Sequence, residues 1–311
     1  MHTRLICAFS CPVVQWPKNE KEPGMKRYIS MFITAALCAL LLSACTLRPQ
    51  PTPDPHEGMV QVDDGTGLVW LPLIEELEPN MLLPEHFSSD NGYLTCSLSC
   101  EHGIDVSEHQ QEIDWEQVAA SGLADFAFIR AGYRGYTEGG LFEDLYFRDN
   151  IEGALENGID VGVYFFSQAT TAEEAIEEAQ FLLELIDGYE ITYPVAFDWE
   201  PMHLEEARTE GLSGDVLTDC AIAFCDTIAA AGYEPAVYFY RHLGYYDYDL
   251  GRLADYTFWV GAPGEYPDFY YRHEYWQYSY TGVVPGIEGD VDLNLHFTAL
   301  PAPPEETPEA G

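Results

Sequence analysis

The chain has 311 residues, of which 47% are hydrophobic and 14% aromatic, enough for a large buried core and too apolar for a disordered chain. Its formal net charge of -40, from 53 acidic against 13 basic residues, leaves no basic patch to neutralise phosphates and excludes nucleic acid as a partner. Lysine is absent after Lys26, so eight arginines supply all the fixed positive charge beyond Cys45, and the acidity reads as a solvated surface.

Met25-Lys26-Arg27 opens a short basic region, and Tyr28 through Ala44 is almost wholly apolar. Such a run before small residues suits a signal peptide better than a spanning helix, which needs about twenty residues. It ends in Leu42-Ser43-Ala44-Cys45, which resembles the lipobox of bacterial lipoprotein signals. That resemblance implies a signal region over 1-45, acylation of Cys45 and a lipid anchor in the membrane, while residues 1-24, which suit no export signal, point to translation from Met25. The expected location is extracytoplasmic, on the outer face of the bacterial cell membrane. Residues 46-57, with four prolines, read as a stiff spacer.

Residues 58-101 form a short N-terminal extension. Met59-Val62 and Gly67-Leu71 around an Asp64-Gly65 turn predict a β-hairpin, and 76-101 shows too little periodicity for more than a connector. Cys96 and Cys100 are spaced to close a small loop in an oxidising exterior. Together with His102 and His109 they fit no zinc spacing, so no metal is expected.

From 102 to 298 short apolar strands alternate with amphipathic stretches. The strands expected are Ile104-Ser107, Phe126-Ala131, Val161-Phe166, Val195-Trp199 and Ala236-Tyr240, with helices near 114-121, 147-157, 172-187 and 216-230. In the third helix Ala175, Ala179, Leu182, Leu183 and Ile186 form an apolar stripe and five glutamates a solvated face. Gly158, Gly188 and Gly232 mark helix ends. Cys220 and Cys225 fall on different faces of the fourth helix and read as buried thiols. After residue 240, Tyr256-Val260, Glu274-Tyr280 and Val291-Phe297 follow one another without long helices. The fold class is therefore α/β, a TIM-like barrel of five β-α units followed by three strands, with a disordered tail over 299-311. An open doubly wound sheet is the alternative, but no Gly-rich phosphate loop follows the first strand.

Barrel enzymes carry their working groups at the C-terminal ends of strands. Those ends hold Asp105, then Asp198 and Glu200, then Asp290 and Asp292. Strand alternation puts Asp198 and Glu200 on one face, roughly 7 Å apart, with Phe197 and Trp199 opposite. Like charges crowded in a cleft raise one pKa, which keeps a carboxyl protonated for a glycosidic oxygen. With so many acids in the chain, one at a strand end is unremarkable. Three separate strand ends inside apolar surroundings point to a site.

The stretches Gly103-Ile104-Asp105-Val106-Ser107, Ile113-Asp114-Trp115, Phe126 through Tyr133, Val161 through Ser167, Asp198-Trp199-Glu200, Trp276-Gln277-Tyr278-Ser279 and Gly286 through Asn294 resemble, in order, glycoside hydrolase family 25. These are the Chalaropsis-type lysozymes, or muramidases. The resemblance covers residues 102-298 and implies the same barrel. It further implies hydrolysis of the β-1,4 bond between N-acetylmuramic acid and N-acetylglucosamine in peptidoglycan, without metal or other cofactor. Carried over, Glu200 is the general acid, Asp198 orients the substrate's acetamido group, and Asp105 and Asp292 complete an acidic floor. Tyr164, Tyr238 and Trp276 are candidate platforms for sugar rings, with core packing the competing role. Arg134 is a candidate for a substrate carboxylate, with a surface position as the alternative. Phe165 stands in place of a histidine, and Gly261-Ala262-Pro263 where the family's strand leads to a tyrosine; both departures bear on substrate subsites. Two rival functions are a wall-binding lipoprotein that keeps the barrel for recognition and a glycosidase acting on another N-acetylated polymer such as chitin.

Overall fold

The structure is a computed structural model that describes residues 54-90 and 92-301. The signal region with Cys45, most of the proline-rich spacer and the tail from residue 302 lie outside the described residues.

The extension opens with β1 (Met59–Asp63) and β2 (Leu68–Pro72), an antiparallel hairpin with Asp63 opposite Leu68. A second hairpin, β3 (Phe87–Asp90) with β4 (Tyr93–Cys96), occupies the stretch expected to be a plain connector. It escaped the sequence reading because its strands are four residues long and only Leu94 in them is buried. Cys96 and Cys100 are free thiols, as are the buried Cys220 and Cys225.

The barrel follows with β5 (Cys100–Val106), α1 (Trp115–Ser121), β6 (Phe126–Arg134), β7 (Leu141–Glu143), α2 (Phe147–Glu156), β8 (Asp160–Ser167) and α3 (Ala172–Ile186). Next come β9 (Val195–Trp199), α4 (Gly214–Ala230), β10 (Pro235–Tyr240), the short α5 (Arg241–Tyr246), β11 (Thr257–Gly261), β12 (Tyr275–Gly282) and β13 (Val291–Phe297). Strands β5, β6, β8, β9, β10, β11 and β12 run parallel in that order. Strand β13 pairs antiparallel with both β12 and β5 and closes the ring, while β7 hangs on the edge of β6. This is the eight-stranded barrel of five β-α units and three final strands.

Local chemistry sets the helix ends. Asp114, Thr171 and Ser213 accept backbone N–H bonds at the starts of α1, α3 and α4. Gly158, Gly188 and Gly232 take positive φ just beyond α2, α3 and α4, a conformation that costs glycine little. The outward faces of the strands pack on the helices: Phe165 meets Phe181 of α3, and Phe197 meets Phe224 of α4. Inside the ring Phe126, Phe128, Tyr164, Tyr238, Trp259 and Tyr275 form a separate aromatic core. Glycine makes room for it, since a Cβ on Gly103 would come within 2.2 Å of the Phe126 ring. The interior is thus filled below and open above.

Candidate active site

Asp105, Asp198, Glu200 and Asp292 all line one cavity of about 760 Å³ at the C-terminal end of the parallel strands. That size lies within the range of about 300–1,000 Å³ usual for ligand clefts. Asp292, near the start of the antiparallel β13, pairs in register with Asp105 near the end of β5, so opposite chain directions bring both to the same mouth. Asp198 sits beside Phe166 of β8 and Tyr238 of β10. Asp290 is exposed and outside the cavity.

Asp105 is the anchor of the floor. Its Oδ2 accepts from Gln277 Nε2 and Asn294 Nδ2, both at 2.8 Å. Each amide is oriented from behind, Asn294 Oδ1 by Trp259 Nε1 at 2.8 Å and Gln277 Oε1 by the Tyr238 hydroxyl at 2.7 Å. Those second bonds point the NH₂ groups at Asp105. Burial raises the Asp105 carboxyl, while these two donors and Asp292 favour its anion. Burial, then the charge of Asp105, pushes Asp292 up to about 9, so Asp292 holds the proton and donates it to Asp105.

Asp198 lies in β9 and Glu200 follows directly after its last residue, and both line the cavity. Burial raises Asp198 well above the usual carboxylate range, reinforced by the charges of Glu200 and Asp105 and opposed by Arg130. Its Oδ1 is buried without a protein hydrogen-bond partner, an unsatisfied acceptor on a residue that lines the cavity. Glu200 is half-buried, and burial followed by the charge of Asp105 raises its carboxyl too. Its backbone carbonyl accepts from Gln168 Nε2 at 2.9 Å. Gln168 Oε1 accepts from Thr209 Oγ1 at 2.8 Å, so one buried amide fastens two points of the long β9–α4 loop. The arrangement offers a proton donor, an unsatisfied acceptor and a braced anion around an open space.

The structure sorts the remaining candidates. Tyr164 and Tyr238 line the cavity. Trp276 does not: it is fully buried on the outer face of β12, donates Nε1 to the Ala262 carbonyl at 2.8 Å and meets Phe87 of the second hairpin edge-on. Arg134 is neither in the cavity nor on the surface. It is buried, with Nε 2.7 Å from Glu178 Oε1 and Nη2 2.7 Å from the Glu174 carbonyl. A bulge explains this. Arg130 is in register with Tyr164 but Gly132 with Phe165, so Ala131 is an extra residue and the parity of β6 reverses after it. Arg130 consequently faces the mouth and Arg134 the helices.

Arg130 is the cavity's arginine on β6, held by Asp144 at 2.7 Å and Glu108 at 3.0 Å. Gln277, Trp259, Tyr240 and Arg241 also line the cavity and Asn294 supports its floor through Asp105, and sequence reasoning assigned none of the five to the site. Period-two counting from Asp292 to Asn294 and from Phe126 to Arg130 carries the signal for Asn294 and for Arg130. Of the two departures, Phe165 faces outward and leaves the cavity untouched. Gly261, Ala262 and Pro263 do line it, and a Cβ at Gly261 would lie 2.7 Å from the Tyr238 hydroxyl, so glycine there is what lets Tyr238 reach Gln277.

The chain is similar to known proteins over the barrel. Over 210 residues the chain is 30% identical to the protein YegX of Escherichia coli K12, covering 62% of this chain and 68% of that one. Over 205 residues it is 30% identical to Lysozyme M1 of Streptomyces globisporus, covering 62% and 66%. The solved modular autolysin LytC of Streptococcus pneumoniae superposes with a TM-score of 0.56 at 25% identity, covering 77% of this chain and 56% of LytC. The chain thus spans little more than half of LytC. The model of "Glycosyl hydrolases family 25" matches residues 104–287, the segment that carries Asp105, Asp198 and Glu200, and the protein is a glycoside hydrolase of that family.

Proposed function

We propose that this protein is a muramidase that cuts the β-1,4 bond between N-acetylmuramic acid and N-acetylglucosamine in bacterial peptidoglycan. The observation that carries the reading is the convergence of Asp105, Asp198, Glu200 and Asp292 on one open cavity. Lysozyme M1 is named for this activity, and LytC has been solved with a synthetic peptidoglycan ligand, which supports the substrate class.

Glu200 is the general acid: its raised carboxyl keeps a proton for the glycosidic oxygen of the leaving sugar. As that C–O bond breaks, the substrate's acetamido oxygen attacks the anomeric carbon and closes an oxazoline ring. The unpartnered Oδ1 of Asp198 accepts the acetamido N–H and orients the group for attack. Water then opens the ring, giving its proton back to Glu200. The Asp105–Asp292 pair, sharing one proton, places one negative charge below the sugar and stabilises the oxocarbenium-like transition state. Tyr164 and Tyr238 present ring surface to the substrate. No step needs a metal or cofactor.

We further propose action outside the cytoplasm from a lipid anchor at Cys45, on the sequence motif alone; mass spectrometry of the mature N-terminus tests it, and a start other than acylated Cys45 overturns it. Glu200→Gln tests the chemistry. Clearance of purified peptidoglycan should fall by about 10²- to 10⁴-fold, and wild-type digests should show new reducing muramic ends. Equal clearance by both proteins, or binding without cleavage by the wild type, overturns the muramidase reading.

A further inference from the structure

The segment matched by the family model begins at residue 104, yet the cleft does not end there. Asp64 and Gly65, at the turn of the β1–β2 hairpin, line the same cavity as the catalytic carboxylates. The hairpin belongs to the same unit as the barrel, Gly58 onward, and its turn is latched to the segment that follows β10. Tyr246 donates its hydroxyl to Asp64 Oδ2 at 2.7 Å, and Arg241 Nη1 lies 3.8 Å from Asp63 Oδ1. Arg241 is itself braced on its other side by Asp268. Three donors from Tyr246 and Thr66 hold Asp64 as an anion, with its carboxyl lowered to about 2. A turn without function has no need of long-range clamps on both of its acids.

From this placement we infer that the N-terminal hairpin is a wall of the substrate cleft and, with Tyr240 and Arg241, forms an outer subsite for a pyranose unit of the glycan strand away from the bond that is cut. The chemistry suits a neutral sugar. Tyr240 offers a half-buried ring face. Arg241, which lines the cavity between Asp63 and Asp268, offers a planar donor face for vicinal hydroxyls, and two carboxylates against one guanidinium leave the array net negative, which disfavours an anionic ligand. Gly65 keeps the wall low: only Arg241 atoms, at 3.9 Å, lie near the position of a Cβ there. The inference rests on the muramidase reading for the identity of the strand.

Two variants of the full chain test it. One shortens the turn by replacing Asp64–Gly67 with Asn-Gly; the other, Tyr246→Phe, removes only the latch hydroxyl. Glycan strands of graded length, freed of peptide, are the substrate. The shortened turn should raise KM for long strands roughly three- to tenfold with much less change in kcat, and leave the shortest cleaved strand unaffected. Tyr246→Phe should shift KM in the same direction by a smaller factor. Equilibrium binding of uncut long strands to each variant in the Glu200→Gln background separates the two readings. If the wild type makes no cut but the shortened turn still weakens binding, the muramidase reading fails and the subsite stands. If neither KM nor binding depends on the turn in variants that keep the wild-type melting temperature, the subsite is wrong. If the shortened variant does not fold, Tyr246→Phe decides by the same two readouts.

Discussion

Proton placement on the floor carboxyls of the cavity follows from a single asymmetry. Asp105 is surrounded by amide donors and Asp292 is not, so the shared proton belongs to Asp292. An acid whose folded pKa is raised binds its proton more tightly when folded. Between its ordinary value of 3.8 and about 9 the native state therefore holds more of that proton than the unfolded chain, and this group makes stability fall as pH rises through that window. Asp292→Asn keeps a donor toward Asp105 and removes the titration. The melting temperature of the variant should exceed that of the wild type at pH 8 by more than at pH 4, while its activity falls. A gain that is equal at both pH values would place the proton elsewhere. His273 works in the opposite sense: buried and lowered to about 4, it costs stability as pH drops below its ordinary 6.5 and should be silent in the alkaline comparison.

Elements, rather than residues, were the most legible part of this sequence. All eight barrel strands were readable as short runs rich in apolar residues, five of them alternating with stretches of helical period and the last three following one another without long helices. Alternation alone put Asp198 and Glu200 on one side at the end of the fourth strand, and both line the cavity, Glu200 from just beyond β9. What alternation could not see is a change of parity or a choice of face. The bulge at Ala131 turned Arg134 away, and Trp276 lies on the outer side of a strand whose inner side is marked by Gln277. The β3–β4 hairpin was illegible because it buries too little to leave a pattern. Two predictions separate bracing from binding. Arg134→Leu strands Glu178 uncompensated in the protein interior and should cost about 3–5 kcal/mol of stability in chemical denaturation. KM should not move; a raised KM with unchanged stability would return Arg134 to the substrate. Gln168→Ala frees the Glu200 carbonyl and Thr209 together. A misplaced acid should lower kcat by roughly ten- to a hundredfold and shift the alkaline limb of the pH profile, with KM little changed. An unmoved profile would reduce Gln168 to a packing residue.

At the scale of the molecule the dominant quantity is charge. With 53 acidic residues against 13 basic ones, the surface repels itself, and the arginines cannot offset it locally. Among the described residues each of Arg130, Arg134, Arg148, Arg208, Arg241, Arg252 and Arg272 is already committed to a carboxylate. Added salt therefore acts in two opposed ways. It weakens exposed pairs such as Arg252–Asp219, each worth at most about 1 kcal/mol, and it screens repulsion among the many acids that have no cation beside them. Repulsion sums over many more charges than attraction does, so screening should win. The melting temperature at neutral pH should rise as sodium chloride goes from about 10 mM, where the screening length is roughly 30 Å, to about 150 mM, where it is near 8 Å. Sodium sulfate is avoided as the salt, because it stabilises by exclusion from any surface and would hide the effect. A melting temperature that falls over that range would mean that the arginine pairs, few as they are, outweigh the field of the acids.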